Sequence, residues 1–367
     1  LVHAILPSDP ELTEVVYDRS GGNPLHLVLL LRYLREEGLL ERDGDTWRAT
    51  HLGRVKAAMP PSLADLFQVR VEQVEQRAST EGRLEGLLVR ASIAGPRFEY
   101  DVLEEMVRLE GDEQRIASFD TDFDRVLAEG LLVEAEAQRE DFYQFSHGLL
   151  RDYFMRDHLG PGEFRKLHRI AAEAKERVHG VDAGKFALEI ASHWHSGRDI
   201  ERALVWYARA AKALRGSFML RQSADAYGRC IELMDRKLGV SGQTASELPA
   251  IDDVERFEDA GVDRHDYLDM LTGSADLQEG FGDFERAERM YRRVVRMVGK
   301  AENEQGKKVR RALGSSWLGL GHIAWQRGDF EAAEWAFDKA RTIASSSDAL
   351  VSLDDDAARG LARVFWH

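Results

Sequence analysis

Gly21-Gly22-Asn23-Pro24, followed at once by Leu25-His26-Leu27-Val28-Leu29-Leu30-Leu31-Arg32-Tyr33-Leu34-Arg35-Glu36-Glu37-Gly38-Leu39-Leu40, is the stretch whose reading decides the fold. Two glycines permit a tight turn, Asn23 caps a helix through its side-chain oxygen, and Pro24 is tolerated at the first helical position. Gly38 ends the helix as a left-handed C-terminal glycine does, and the apolar residues at 27, 28, 31 and 34 give it a face for a core. On any reading this helix is structural; what its first turn faces is the functional question.

Working outward, Ser8-Asp9-Pro10-Glu11 has the form of a capping box opening a helix that runs to about Arg19. Downstream, Leu39-Leu40-Glu41-Arg42, Asp43-Gly44 and Asp45-Thr46-Trp47-Arg48 form the strongest hairpin signal in the chain. Pro60-Pro61-Ser62 marks a boundary, with Ser62 as cap and Asp65 three residues on. Helical patterns follow over about 62–77, 80–94, 98–109 and 120–129. A second hairpin then runs from Gly130-Leu131-Leu132-Val133-Glu134 to Phe142-Tyr143-Gln144-Phe145. Short helices with a terminal hairpin make a winged-helix pattern. Its last helix, 119–129, carries four carboxylates and one arginine, which is the wrong chemistry for reading a DNA groove.

From about 160 onward the pattern is helical, beginning with Gly162–Val178 and Lys185–His195. A repeat then appears: Gly197-Arg198-Asp199-Ile200 before Ala203 and Tyr207, Gly282-Asp283-Phe284 before Ala287 and Tyr291, and Gly328-Asp329-Phe330 before Ala333 and Phe337. Trp317, Leu320, Gly321, Ala333, Phe337 and Ala340 give the last copy a tetratricopeptide pattern, although Gly282 and Gly328 lie 46 residues apart, longer than the usual repeat of about 34. A polar segment from Gly239 to Arg264 interrupts the array, and the chain stops inside what has the pattern of another repeat helix.

Composition bounds the rest. The 367 residues, 44% of them apolar, suffice for two or three domains. The leucine-rich run Leu27–Leu31 is far short of the ~20 residues that span a bilayer, and a cytoplasmic location is expected. Cys230 is alone, so neither an internal disulfide nor a cysteine metal cage is available. Sixty-five acidic against fifty basic residues, a net charge of −15, repels a phosphate backbone. His193 and His195 fall on different sides of a helix, and no metal site is expected. The one cationic region runs from Arg286 to Arg311. It is either a solvated face of the repeats or a surface for an anionic partner, for which Arg289, Arg293 and Arg296 with Trp317 and Trp325 are the candidates.

Gly-Gly-Asn-Pro-Leu before an apolar helix ending in Glu-Glu-Gly-Leu-Leu resembles the helical lid of the STAND signalling ATPases. Phe145-Ser146-His147-Gly148-Leu149-Leu150-Arg151-Asp152 is similar to their winged-helix segment, whose histidine contacts the β-phosphate of bound ADP. The resemblance implies that Gly22, Asn23 and Pro24 lie beside the adenine of ADP or ATP and that His147 meets the phosphate. The alternatives for these residues are ordinary helix punctuation and a core or surface histidine. No Gly-x-x-x-x-Gly-Lys-Ser/Thr loop occurs, so this chain is not expected to hydrolyse ATP or to hold nucleotide and magnesium tightly alone. The nucleotide-binding domain would precede Leu1, and a kinase, cyclase or transcription-regulator domain would supply the output.

The expected fold class is therefore mostly α. It comprises a lid with a β-hairpin over 1–59, a winged helix over 60–159, a helical linker and first repeat helices over 160–237, a polar loop over 238–263, and tetratricopeptide-like repeats over 264–367. The expected role is the sensor arm of an ATP/ADP switch. Its partners would be the upstream nucleotide-binding domain, a protein or small-molecule inducer on the solenoid, and further copies of itself, with no nucleic acid or membrane. A nucleotide-independent interaction scaffold is the alternative.

Overall fold

The computed structural model describes residues 10–43, 46–78, 80, 82–135, 142–240, 249–299, 306–344 and 351–365. They are mostly helical, with short strands in two small antiparallel sheets, and they divide into two compact units, Leu1–Val178 and His179–His367. Among them no helix is long and apolar enough to cross a membrane.

The first unit opens with α1 (Pro10–Ser20) and α2 (Pro24–Glu36). Ser8 and Asp9 of the expected capping box lie outside the described residues. Gly21 and Gly22 turn the chain at φ +57° and +74°, a region closed to most side chains. The Leu-rich α2 buries Leu27, Leu29, Leu30, Leu31 and Leu34 together, so more than one face is in the core. It ends as expected at Gly38, whose N–H returns to the Arg35 carbonyl while that of Leu39 returns to Leu34. β1 (Leu40–Asp43) pairs antiparallel with β2 (Thr46–Ala49), Leu40 facing Ala49; the turn residues Gly44 and Asp45 lie outside the described set. A short α3 (Leu52–Ala58) follows, which the sequence pattern did not separate from the hairpin.

Ser62 accepts from the Asp65 N–H at 3.1 Å and opens α4 (Leu63–Ala78). The chain continues through α5 (Arg83–Ala94), β3 (Arg97–Glu99), α6 (Tyr100–Glu110), α7 (Glu113–Ala128), β4 (Leu132–Glu134) and β5 (Phe142–Phe145). Two expectations are corrected. Residues 98 and 99 are strand rather than helix: β3 pairs with β5, Phe98 opposite Tyr143, and alternation sends the Phe98 ring into the core. The helix expected over 120–129 begins at Glu113, because Asp112 accepts from Gln114 and Arg115 N–H groups and Gly111 supplies the preceding left-handed turn. The sheet order is β3-β5-β4. Tyr100, Phe119, Phe123 and Tyr143 close over it, with Tyr100 and Tyr143 each edge-on to Phe123 at 4.9 and 4.8 Å.

α8 (Gly148–Asp157) and α9 (Pro161–His179) complete this unit. Leu167, Ala171 and Ala174 of α9, residues the sequence groups with a linker, belong to the same core as Leu30 and Phe98. Burial, with the Arg151 guanidinium adding, pushes His168 on α9 down to about 4 from its ordinary 6.5. The native state then binds fewer protons than the unfolded state between those values, so stability falls as pH drops through 6.5 and levels off below 4. Urea denaturation at stepped pH is expected to show an acid loss about 2–3 kcal/mol larger in wild type than in His168→Gln, which keeps the smaller contributions of His26 and His147.

The second unit is a helical solenoid. A 3₁₀ turn (Gly180–Phe186) leads to α10 (Ala187–Ser196), α11 (Ile200–Gly216), α12 (Leu220–Lys237), α13 (Val254–Asp259) and α14 (Arg264–Gly280). Then come α15 (Phe284–Gly299), α16 (Lys307–Gln326), α17 (Phe330–Ala344) and α18 (Val351–Phe365). The polar segment is not all loop: beyond the undescribed 241–248, Ile251 and Phe257 are buried and the Ile251 N–H bonds the Met297 carbonyl at 2.9 Å. Each repeat turn places an aspartate at the N-cap, Asp199, Asp283 and Asp329, accepting from the N–H three residues on. Glycines in the packed helices seat aromatic rings. A Cβ on Gly273 would lie 2.7 Å from Tyr227, on Gly321 2.6 Å from Phe337, and on Gly360 2.7 Å from the same Phe337 ring, all inside van der Waals contact.

Candidate functional sites

The start of α2 is fixed by its own sequence. Asn23 Oδ1 accepts from the Leu25 and His26 N–H groups at 3.0 and 3.4 Å, so this side chain is committed to the cap and positions the turn. Pro24 follows at the first helical position, and Gly21 through Pro24 are exposed. Beside them lie two exposed apolar side chains, Tyr17 at 57% and Val28 at 50%; a Cβ on Gly22 would sit 3.6 Å from the Tyr17 hydroxyl. One residue inward, His26 is buried with Nε2 lacking a hydrogen-bond partner. Burial, then the charge of Arg19, lowers its pKa and keeps the ring neutral.

His147 occupies the N-cap of α8 in an extended conformation, φ −143° and ψ 135°, and its side chain makes no capping bond. The imidazole is exposed and thus available to a ligand, while burial of part of the ring, then Arg70, lowers its pKa. Arg70 on α4 ties this corner together: it donates to the Glu129 carbonyl at 2.7 Å. Its own pKa is lowered, first by burial and then by Arg32, with Glu36 opposing. A narrow crevice runs between Leu29, Arg32 and Glu36 of α2 and Phe67 and Arg70 of α4. Arg70 went unnoticed in the sequence because a single arginine between Val69 and Val71 carries no motif. The same first unit therefore carries the turn, His147 and a cation, Arg70, that acts on His147 and on Arg32 and Glu36 in the second half of α2.

In the solenoid the five partner-binding candidates separate. Arg293 is held inside the unit: its guanidinium donates to both carboxylate oxygens of Asp235, at 3.1 and 2.8 Å, and to the Tyr267 hydroxyl. Arg289 is exposed on α15, and Trp325 is partly buried on α16. Arg296 and Trp317 do meet, on the wall of a groove of about 360 Å³. Arg292, Arg327 and Trp335, not singled out by sequence, share that wall. The Trp317 and Trp335 rings pack edge to face at 4.8 Å, and Trp335 stays 55% exposed. Glu288 holds Arg292 and Arg327 at 2.5 and 2.6 Å, which fixes the rim and leaves Arg296 as its outward cation. Among the described residues no cluster of three or more metal-ligating side chains occurs.

No family model and no curated protein matches this chain. Solved structures similar at low identity include these two. One is BtubC from P. vanneervenii, 16% identical over 77% of this chain and 90% of that one, with a TM-score of 0.34. The other is a signal transduction ATPase with numerous domains, a STAND protein with a tetratricopeptide repeat sensor, from Pyrococcus horikoshii; it is 15% identical over 97% of this chain, with a TM-score of 0.35. This chain spans about half of that protein, 54% of its length.

Proposed function

We propose that the chain is the regulatory and sensor arm of a STAND-type signal-transduction ATPase, with the first unit facing nucleotide and the solenoid receiving an inducer or protein partner. The observation that carries the reading is the exposed Gly-Gly-Asn-Pro turn and the exposed, uncapped His147 in one compact unit; Arg70 acts on His147 and on Arg32 and Glu36 in the second half of α2, away from the turn. The order of helix α5, strand β3, helices α6 and α7, and hairpin β4-β5 matches the order expected of a winged helix, and His147 follows β5 directly.

The groups present suit the parts of a nucleotide taken one at a time. Pro24 with the exposed Tyr17 and Val28 offers apolar surface to a base, while Asn23 holds the turn. His147 is neutral in this setting and gains a proton when an oxyanion approaches, since a nearby negative charge favours the cationic ring. Arg70 adds fixed positive charge behind it. ADP would supply the bridging anion that keeps lid and winged helix closed on a nucleotide-binding domain. ATP exchange and a ligand on the solenoid would favour an open, self-assembling form, provided each binds the two states with different affinity. Hydrolysis belongs to that other domain, and a kinase, cyclase or transcription regulator would carry the output.

The test is the native reading frame upstream of Leu1. A strand, a phosphate loop and a helix there support the switch; a start codon close to Leu1 with no such loop refutes it. The Trp317–Trp335 groove with Arg296 on its rim favours a second reading, a scaffold that captures an acidic partner whether or not nucleotide is present. Partner capture unchanged by ADP or ATP would support that reading.

A further inference from the structure

The three repeat turns align on their N-cap aspartates, and in that register Arg198 stands where the other two copies have Gly282 and Gly328. All three residues adopt the left-handed region, at φ +59°, +81° and +78°. Glycine adopts this conformation freely, whereas an L side chain crowds its own backbone. Gly197, one position earlier, does not take over the role: the chain bonds run from Arg198 N–H to the His195 carbonyl just as from Gly328 N–H to Trp325. The turn is therefore kept with an arginine where a glycine would serve; Phe218 holds the next turn likewise at φ +58°, so what sets Arg198 apart is its surroundings rather than its backbone.

That arginine lines an open cavity of about 860 Å³ within the second unit, in the size range of small-molecule sites. Arg229 and Arg236 of α12, His195 and Tyr207 share its wall, with Asp225 as the single lining carboxylate. Glu232 pairs with Arg229 at 3.4 Å and Arg236 at 2.5 Å, while Arg198 forms no ion pair among the described residues. The Tyr207 hydroxyl and His195 Nδ1 are 3.4 Å apart, a pair that presents polar atoms to the cavity. Burial, then Arg229, lowers the His195 pKa, in keeping with a positive field there.

We infer that this cavity binds an oxyanion group, phosphate or carboxylate, of a small organic molecule, and that Arg198 is held in a strained turn to meet it. Arginine matches the planar fork of either group. The inference gives a chemical class to the inducer of the proposed switch, and because its test contains no nucleotide it stands or falls separately from that reading.

The experiment is calorimetric titration of the full 367-residue chain with inorganic phosphate and with citrate, each against sodium chloride at matched ionic strength. Saturable heat is expected with phosphate or citrate and not with chloride; phosphate alone assigns a phosphorylated ligand, citrate alone a polycarboxylate. Arg198→Gly is expected to weaken binding at least tenfold while the melting temperature of the second unit holds or rises, since the strain is relieved. Arg229→Gln, at an exposed site, is expected to weaken binding with no change in melting. No saturable binding of either anion, equal heat with chloride, wild-type affinity in Arg198→Gly, or a lowered melting temperature in that variant would each overturn the assignment.

Discussion

Gly319→Ala is expected to destabilise the second unit by about 3 kcal/mol, although alanine is the better helix former by about 1 kcal/mol. A Cβ at Gly319 would clash with the edge of the Tyr291 ring, which is buried in a cluster with Ala275, Ala287 and Ile323. The ring cannot simply withdraw. Its hydroxyl lies 2.9 Å from Asp276 and 2.8 Å from Glu279, donating to one at a time, and burial with these carboxylates pushes the phenol pKa far up. Moving it combines overpacking, about 1–3 kcal/mol, with loss of a hydrogen bond to a charged group, about 1.5–3 kcal/mol. Gly228→Ala on α12 is the control, because a Cβ there meets nothing within 4 Å and only the propensity gain of roughly 0.5–1 kcal/mol remains. Thermal melting of the two variants should move in opposite directions; equal shifts would remove the close-packing account of the solenoid.

Glu110→Ala is expected to cost the first unit about 3–5 kcal/mol. Arg90 and Glu110 form an ion pair with side chains only 6% and 9% exposed, joining α5 to α6. Arg90 also donates to the Gly86 carbonyl, and Lys166 of α9 approaches Glu110 at 3.5 Å from the outside. Removing the carboxylate strands a guanidinium in the core, where neither water nor Gly86 compensates its charge. Replacing both partners, as in Arg90→Met with Glu110→Leu, should recover most of the loss, since two apolar side chains carry no desolvation penalty. Urea midpoints of the single and double variants measure this; a single variant within 1 kcal/mol of wild type would mean that the pair contributes little.

What the sequence made legible follows from how local each determinant is. Asn23, Pro24 and Gly38 act within one helix, so the limits of α2 were readable, as was Ser62 at the start of α4. β3 was not, because three residues between two helices have too little alternation to register, and pairing with β5, more than forty residues away, decides their state. The start of α7 lies earlier than its apolar pattern around Phe119 predicts, because the cap, Asp112 after a left-handed Gly111, sits seven residues before that ring. Of the candidate sites, the turn and His147 were named from motif. Arg70 and Trp335 were not, since both are defined by what folds against them. The basic run showed the reverse: Arg293 counted as surface charge in the sequence, yet in the fold Asp235 and Tyr267 occupy its guanidinium.

The measurement that tests the central claim most directly is the rate of ADP release from the native full-length protein, wild type against His147→Ala, followed with a fluorescent ADP analogue. A charge-assisted hydrogen bond to phosphate is worth about 1.5–3 kcal/mol, so the variant should release ADP roughly 10- to 100-fold faster. Retention should also weaken as pH rises through the pKa of the ADP-bound ring, because only the cationic imidazole donates both protons. Release at the wild-type rate, or a full-length protein that holds no nucleotide, would contradict the account.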